Sequence, residues 1–127
     1  MHEPMWMSAP EEHDYPAAAR YLSLLAPPDQ VDSLVASMRV VPVVHHKAKD
    51  VLRAAALRVL PRDNPHVVSD LDKIAKKTRL SPVLLVRGDL ARGRAVQIAD
   101  GYHRVCASFY TDENADIPCR LVFLDEQ

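Results

Sequence analysis

The sequence predicts an α+β fold: a small mixed sheet with packed helices, preceded by an N-terminal helical hairpin. Three observations point there. Apolar residues recur at helical spacing through the first two thirds of the chain, and the pattern changes to that of strands after Pro82. The 127 residues, 48% of them hydrophobic and 26% charged, suffice for one domain with its own core.

Residues 1 to about 14 hold three Met, one Trp and two Pro without a period and read as an irregular lead-in, with Trp6 the side chain able to tie it down in a groove. From Pro16 to Ala26, Ala18, Tyr21, Leu22 and Leu25 form a helical stripe that Pro27-Pro28 stops. A second helix is expected over Asp29–Arg39, with Val31, Leu34, Val35 and Met38 on one face. These residues, 1–39, make the hairpin, which must bury its stripe on the rest of the domain or on another subunit.

Val40–Val44 is β-like but carries Pro42, as suits an edge strand or an extended connector. His45-His46-Lys47 then opens a helical pattern through Ala56, and Leu57–Leu60 reads as a short extended piece before the turn residues 61–65. A fourth helix is expected over Ser69–Arg79, with Ser69 and Asp72 approximating a capping box. Pro82–Arg87 and Arg94–Ala99 read as a β-hairpin, followed by a helix from Gly101 or Tyr102 to Tyr110 and a last strand over Ile117–Leu124.

No apolar run approaches the roughly 18–20 residues of a membrane-spanning helix, and the first residues lack the basic and apolar regions of a secretory signal. The expected location is therefore the cytoplasm, with no membrane partner. Two cysteines, Cys106 and Cys119, are too few for a disulfide scaffold or a four-ligand zinc site, and read as small core residues. Formal net charge is −1, yet residues 1–32 hold six acids against Arg20 alone, so the remainder is net basic and suits an anionic ligand.

The chemistry concentrates in Ile98–Arg104, where a strand passes into a helix through a glycine. Gly101 permits a tight turn and close approach of a ligand to the backbone. The free amides and dipole of the following helix favour phosphate or carboxylate, with His103 and Arg104 placed to add contacts. The alternative is that Asp100 is an N-cap consuming those same amides.

Asp100-Gly101-Tyr102-His103-Arg104, followed by Val105, Cys106 and Ala107 and then by Ile117-Pro118, resembles the signature of the ParB/sulfiredoxin-like superfamily. The likeness extends over residues 57–124 and includes Leu80–Val86, so that 40–127 is expected to form a domain of that type. It implies that Gly101 makes a phosphate-binding turn with His103 and Arg104 as its phosphate-contacting side chains, and that ATP or CTP with magnesium is a ligand to consider; Tyr102, inside the turn, is a further candidate ligand-binding residue. Tyr102 occupies the place of the reactive cysteine of the sulfiredoxin branch, so that sulfur chemistry is not expected. With nothing after Gln127, neither is the helix-turn-helix domain of the partition branch. Some members use an acidic base, for which Asp100 lies inside the motif and Asp63 and Asp70 lie farther off.

Other groups can join such a pocket. Lys47, Lys49 and Arg53 lie near one side of the third helix, Lys47 and Arg53 being candidate ligand contacts. Adjacent His45 and His46 point apart and make no metal site. Asp63, Asn64 and His66 form a polar turn able to position magnesium or a water, and Lys73, Lys76, Lys77 and Arg79 present a basic helix side without aromatic residues. The leading expectation is a phosphate- or nucleotide-binding protein with phosphotransfer or hydrolytic activity open to it. Here His103 orients or protonates the phosphate, and Asp100 is the acid of the motif. Two other classes stay open: an interaction protein, a homodimer included, and a nucleic-acid-binding or nuclease module.

Overall fold

A computed structural model describes residues 3–124. Helix α1 (Asp14–Leu22) holds Pro16 in its first turn and buries Tyr15, Ala18 and Leu22. The predicted stripe is thus rotated and shortened: Tyr21 and Leu25 are exposed, because the chain tightens after Leu22 with Leu24 and Leu25 amides bonded three residues back. Pro28 starts α2 (Pro28–Met38) rather than only ending the helix before it, and α2 buries Val31, Leu34 and Met38 as expected.

The largest departure follows. The edge strand β1 is Val44–Lys47, so His45, His46 and Lys47 are strand and not the start of a helix. The backbone of β4 (Asp116–Val122) supplies antiparallel partners there, pairing His46 with Ile117 and Lys47 with Asp116. Helix α3 (Ala48–Ala54) begins only where the Ala48 and Lys49 amides reach the Ala115 and Glu113 carbonyls at 2.9 and 3.0 Å. Leu57–Leu60 joins no strand; the Arg58 and Leu60 carbonyls instead accept from Tyr102 Oη and Tyr110 Oη, each at 2.5 Å.

Helix α4 (Pro65–Ala75) starts four residues before the predicted Ser69. Asn64 caps it, its Oδ1 accepting from the His66 and Val67 amides at 2.9 and 3.2 Å, with Pro65 at the first helical position. Ser69 and Asp72 therefore sit inside the helix rather than forming a capping box. The chain continues through β2 (Val83–Val86), β3 (Gln97–Asp100), α5 (Tyr102–Thr111) and β4. The hairpin of β2 and β3 is antiparallel, with β3 beginning later than the predicted Arg94.

The four strands form a mixed sheet in the order β1-β4-β2-β3, in which β2 and β4 run parallel and the other pairs antiparallel. All four residues of β2 are buried. Val83 and Leu85 join Ile98, Ile117 and Cys119 in a core under α3, α4 and α5. Leu84 and Val86 join Ala99 and Val122 under α1 and α2. The α1–α2 hairpin thus covers the second face of its own sheet, α1 over β3 and α2 over β4. Trp6 packs against the first core, and the segment carrying it is tied to Leu80 by reciprocal 2.8 Å backbone bonds through Met5 and Met7.

Arg120 on β4 locks the hairpin in place. Its Nη1 donates to the Met38 and Arg39 carbonyls at 3.1 and 2.7 Å, satisfying the C-terminal end of α2, while the Arg39 guanidinium lies 4.1 Å over the Tyr15 ring. No described helix is long and apolar enough to cross a membrane. Replacing Arg120 by Met keeps the bulk but leaves those carbonyls without their charged donor. Arg120→Met is expected to lower stability by about 1.5–3 kcal/mol, read in urea as a lower midpoint with unchanged slope; an unchanged midpoint would show that the hairpin is held by its apolar contacts alone.

A polar cleft at the start of the last helix

Strand β3 ends at Asp100 and α5 starts at Tyr102, so one residue must redirect the chain. Gly101 does this at φ +114°, a conformation L side chains rarely adopt. A Cβ there would also stand 2.9 Å from Arg104 Nη2 and 3.0 Å from Val83 Cγ2. Gly101, the N-cap of α5, has no side chain to cap its first turn and no other described side chain does so; the earliest backbone bond runs from the Val105 amide to the Gly101 carbonyl at 3.0 Å. Asp100 is therefore not the N-cap of this helix; its carboxylate turns instead to Arg104 Nη2, at 3.1 Å.

That guanidinium is the hub of a largely buried ion cluster. Arg104 Nη2 also lies 3.6 Å from Asp14 Oδ2, brought in by the first residue of α1, and donates to the Pro82 carbonyl at 3.4 Å. Asp14 is only 3% exposed, and its carboxylate accepts a short hydrogen bond from Ser81 Oγ, which itself accepts from the Glu11 amide at 3.0 Å. Burial pushes the Asp100 carboxyl above its ordinary range; Arg104 pulls it back and the neighbouring Asp14 carboxyl pushes it further up. The fork expected to reach out for phosphate is thus committed inward, beneath the turn. Arg104 Nε, buried, has no partner among the described residues.

The turn opens on a cleft of about 230 Å³ facing one side of α4, from His66 in its first turn to Lys73 in its last. Asp100, Gly101, His103 and Arg104 line one side, and His66, Ser69, Asp70 and Lys73 the other. The His66 and His103 rings stand 4.7 Å apart between centroids, tilted by 43°. Lys73 Nζ lies 3.8 Å from Asp70 Oδ1. Burial holds the Asp70 carboxyl above its ordinary range against the pull of Lys73, Arg104, His103 and His66. Burial, followed by repulsion from His66, holds His103 below the usual imidazole range, Asp70 acting in the opposite sense.

Of the residues singled out from sequence, Asp100, Gly101, His103 and Arg104 meet at this cleft, joined by His66 of the polar turn and by Asp70, the acid named as lying farther off. Tyr102 does not line it, since its hydroxyl is bound to the Arg58 carbonyl. Lys47 ends the opposite edge strand, with β4 and β2 between it and β3, and Arg53 pairs with Asp50 at 3.9 Å on the exposed side of α3. Neither reaches the turn. Asp63 is exposed and also outside the cleft.

Lys73 is exposed, as expected of the basic helix side, and also lines the cleft opposite His103, while Lys76 is paired with Asp72 at 2.9 Å and Arg79 donates to the Trp6 carbonyl. Residues 66, 70 and 73 follow the i, i+4, i+7 spacing of one helix face, a signal that a polar stripe on α4 could have revealed. Nothing local marks Asp14. Cys106 and Cys119 are both free and buried, and burial pushes the Cys119 thiol up to about 12, far from a nucleophile at neutral pH.

Compared with protein-family models, with curated proteins and with solved structures, the chain matches none.

Two consequences of this geometry can be measured. Gly101→Ala combines a strained backbone with a Cβ pressed on Arg104 and Val83, and is expected to lower stability by about 1–3 kcal/mol; a denaturation midpoint equal to that of the parent would refute the account of the turn. Asp70 titrates above its unfolded value, so its contribution is present below the ordinary carboxylate range and is lost as pH rises through the raised value. Asp70→Asn cannot ionise and should gain on the parent as pH climbs from about 4 toward neutrality. Midpoints measured across that range test this, and a gap that stays flat or narrows contradicts it.

Proposed function

We propose that this protein binds a phosphate group, inorganic or carried by a small molecule such as a nucleotide, in the cleft at the start of α5. One observation carries the reading: the uncapped first turn of α5 opens onto a cleft that also receives Lys73, His66 and His103. The amides and the positive end of the helix dipole suit phosphate oxygens. Lys73 adds a point charge, and His103 is placed to donate to a phosphate oxygen and to orient it. Arg104 acts from below, holding Asp100 and Asp14 so that neither carboxylate occupies the amides. The resemblance of Asp100–Arg104 to the phosphate-binding turn of the ParB/sulfiredoxin-like superfamily supports the same assignment.

Magnesium fits this cleft poorly. Of its two carboxylates, Asp100 is bound to Arg104 and Asp70 lies beside Lys73. Among the described residues the group spaced to hold a metal is Glu11, His13 and Asp14, outside the cleft lining. Phosphate recognition is therefore assigned to the amides and the cationic side chains. For the interaction reading, Ala18, Leu22, Val31, Leu34 and Met38 of the α1–α2 hairpin are covered by the sheet, while Tyr21, Leu24 and Leu25 stay exposed.

Calorimetric titration of the intact protein with inorganic phosphate, a simple phosphomonoester, ATP, CTP and GTP tests the proposal. Saturable binding of phosphate-bearing ligands is expected, weakened about tenfold or more by Lys73→Met. Heats indistinguishable from dilution for every ligand would end it.

A further inference from the structure

The proposed phosphate site contains two imidazoles from different helices. His66 comes from the first turn of α4 and His103 from the first turn of α5, and both line the same cleft with ring centroids 4.7 Å apart. At that separation two imidazolium cations repel each other. Asp70 opposes this in part, and the other charges around the rings are paired with one another. From α4, Asp70 faces both rings but stands 3.8 Å from the Lys73 ammonium. From α5 comes Arg104, from β3 Asp100 and from α1 Asp14, and these three are bound to one another. Tyr102, the remaining neighbour, brings a neutral ring 6.1 Å from His103.

Among the described residues each carboxylate near the pair is thus already shared with a cation, and a doubly protonated pair would be balanced only in part. A doubly charged phosphate seated on the α5 amides would complete the balance, within reach of a donor N–H from each ring.

Resting on the phosphate-binding reading, we infer that His66 and His103 form a proton-linked clamp for a dianionic phosphate head group, so that the ligand and a proton from solvent bind together. The downward displacement of the free His103 by burial and by His66 is in keeping with this, because it leaves the ring ready to take up a proton when an anion arrives. Proton and anion neutralise each other in a partly desolvated cleft, which favours taking both over taking either alone.

The dimensions narrow the ligand class. A volume of about 230 Å³ lies below the roughly 300–1,000 Å³ of ordinary small-molecule sites, and among the described residues no Phe, Tyr or Trp lines the cleft to stack on a base. The clamp takes inorganic phosphate or the head group of a phosphomonoester, and whatever the phosphate is attached to stays outside.

Sulfate is the first probe, because it is a dianion with no titrating proton over the imidazole range, so any proton taken up comes onto the protein. Calorimetry of the intact protein with sulfate, near neutral pH and in two buffers of different ionisation enthalpy, counts those protons. Uptake approaching one proton is expected, with sulfate affinity rising by up to about tenfold per pH unit as pH falls from about 8 to 6. His66→Phe keeps a ring against His103 but cannot be protonated. His66 is exposed, so this variant should fold, which its melting curve checks. It should bind sulfate about tenfold more weakly or worse, and its affinity should depend less on pH.

Inorganic phosphate, a simple phosphomonoester and a nucleoside monophosphate then distinguish the sources of the head group. Affinities within about tenfold of one another are expected, and a much tighter nucleoside monophosphate would overturn the head-group assignment. Sulfate binding without proton uptake, or unaltered in His66→Phe, overturns the clamp while leaving the phosphate site standing. Failure of the intact protein to bind either sulfate or phosphate overturns both.

Discussion

Strand β2 is buried along its whole length, and much of the molecule follows from covering it on two sides. Val83 and Leu85 point to one face, Leu84 and Val86 to the other, and neither face can be left to water. Helices α3, α4 and α5 cover the first. Among the described residues the α1–α2 hairpin is the helical material left for the second, which turns an N-terminal appendage into a structural layer. Arg120 completes that layer by binding the open end of α2 from β4.

The same arrangement sets the chemistry of the cleft. With α1 lying over β3, its first residue, Asp14, comes under the Gly101 turn, and the guanidinium of Arg104 is enclosed by two carboxylates. A buried charge network of this kind need not add stability, since desolvation offsets much of the attraction. Its consequence here is geometrical: it fixes where Asp100 points and leaves the first amides of α5 without a side-chain cap. A feature two layers removed from α4 thereby decides what faces α4 across the cleft.

What results is a small cleft with balanced rather than one-signed charge. Lys73 and Asp70 stand together, and the two imidazoles meet with centroids 4.7 Å apart, where burial and the neighbouring His66 hold His103 below the usual imidazole range. A cleft of uniform positive charge would attract anions from a distance. In the proposed clamp the attraction arises instead when the ligand and its proton are both in place.

Local patterns made much of this legible. The α+β class, the β2–β3 hairpin, the glycine junction and the face of α2 follow from spacing and from residues with narrow backbone preferences, and such preferences act over a few neighbours. Local reading failed where distant backbone or charge intervened. His45 and His46 became strand because β4 offered ladder partners; α4 moved to Asn64 and Pro65, whose cap outcompeted the capping-box pattern at Ser69; and Lys47 and Arg53 were carried away from the site by the strand order.

The sequence by itself determined that a glycine turn opens a helix beside His103 and Arg104, because φ preference and helix periodicity are properties of adjacent residues. Only the tertiary structure decided that Arg104 turns inward to Asp14 and Asp100 while His66, Asp70 and Lys73 come to face His103. Ion pairing and burial depend on which distant segments the sheet brings within a few ångströms, and no local pattern contains that information.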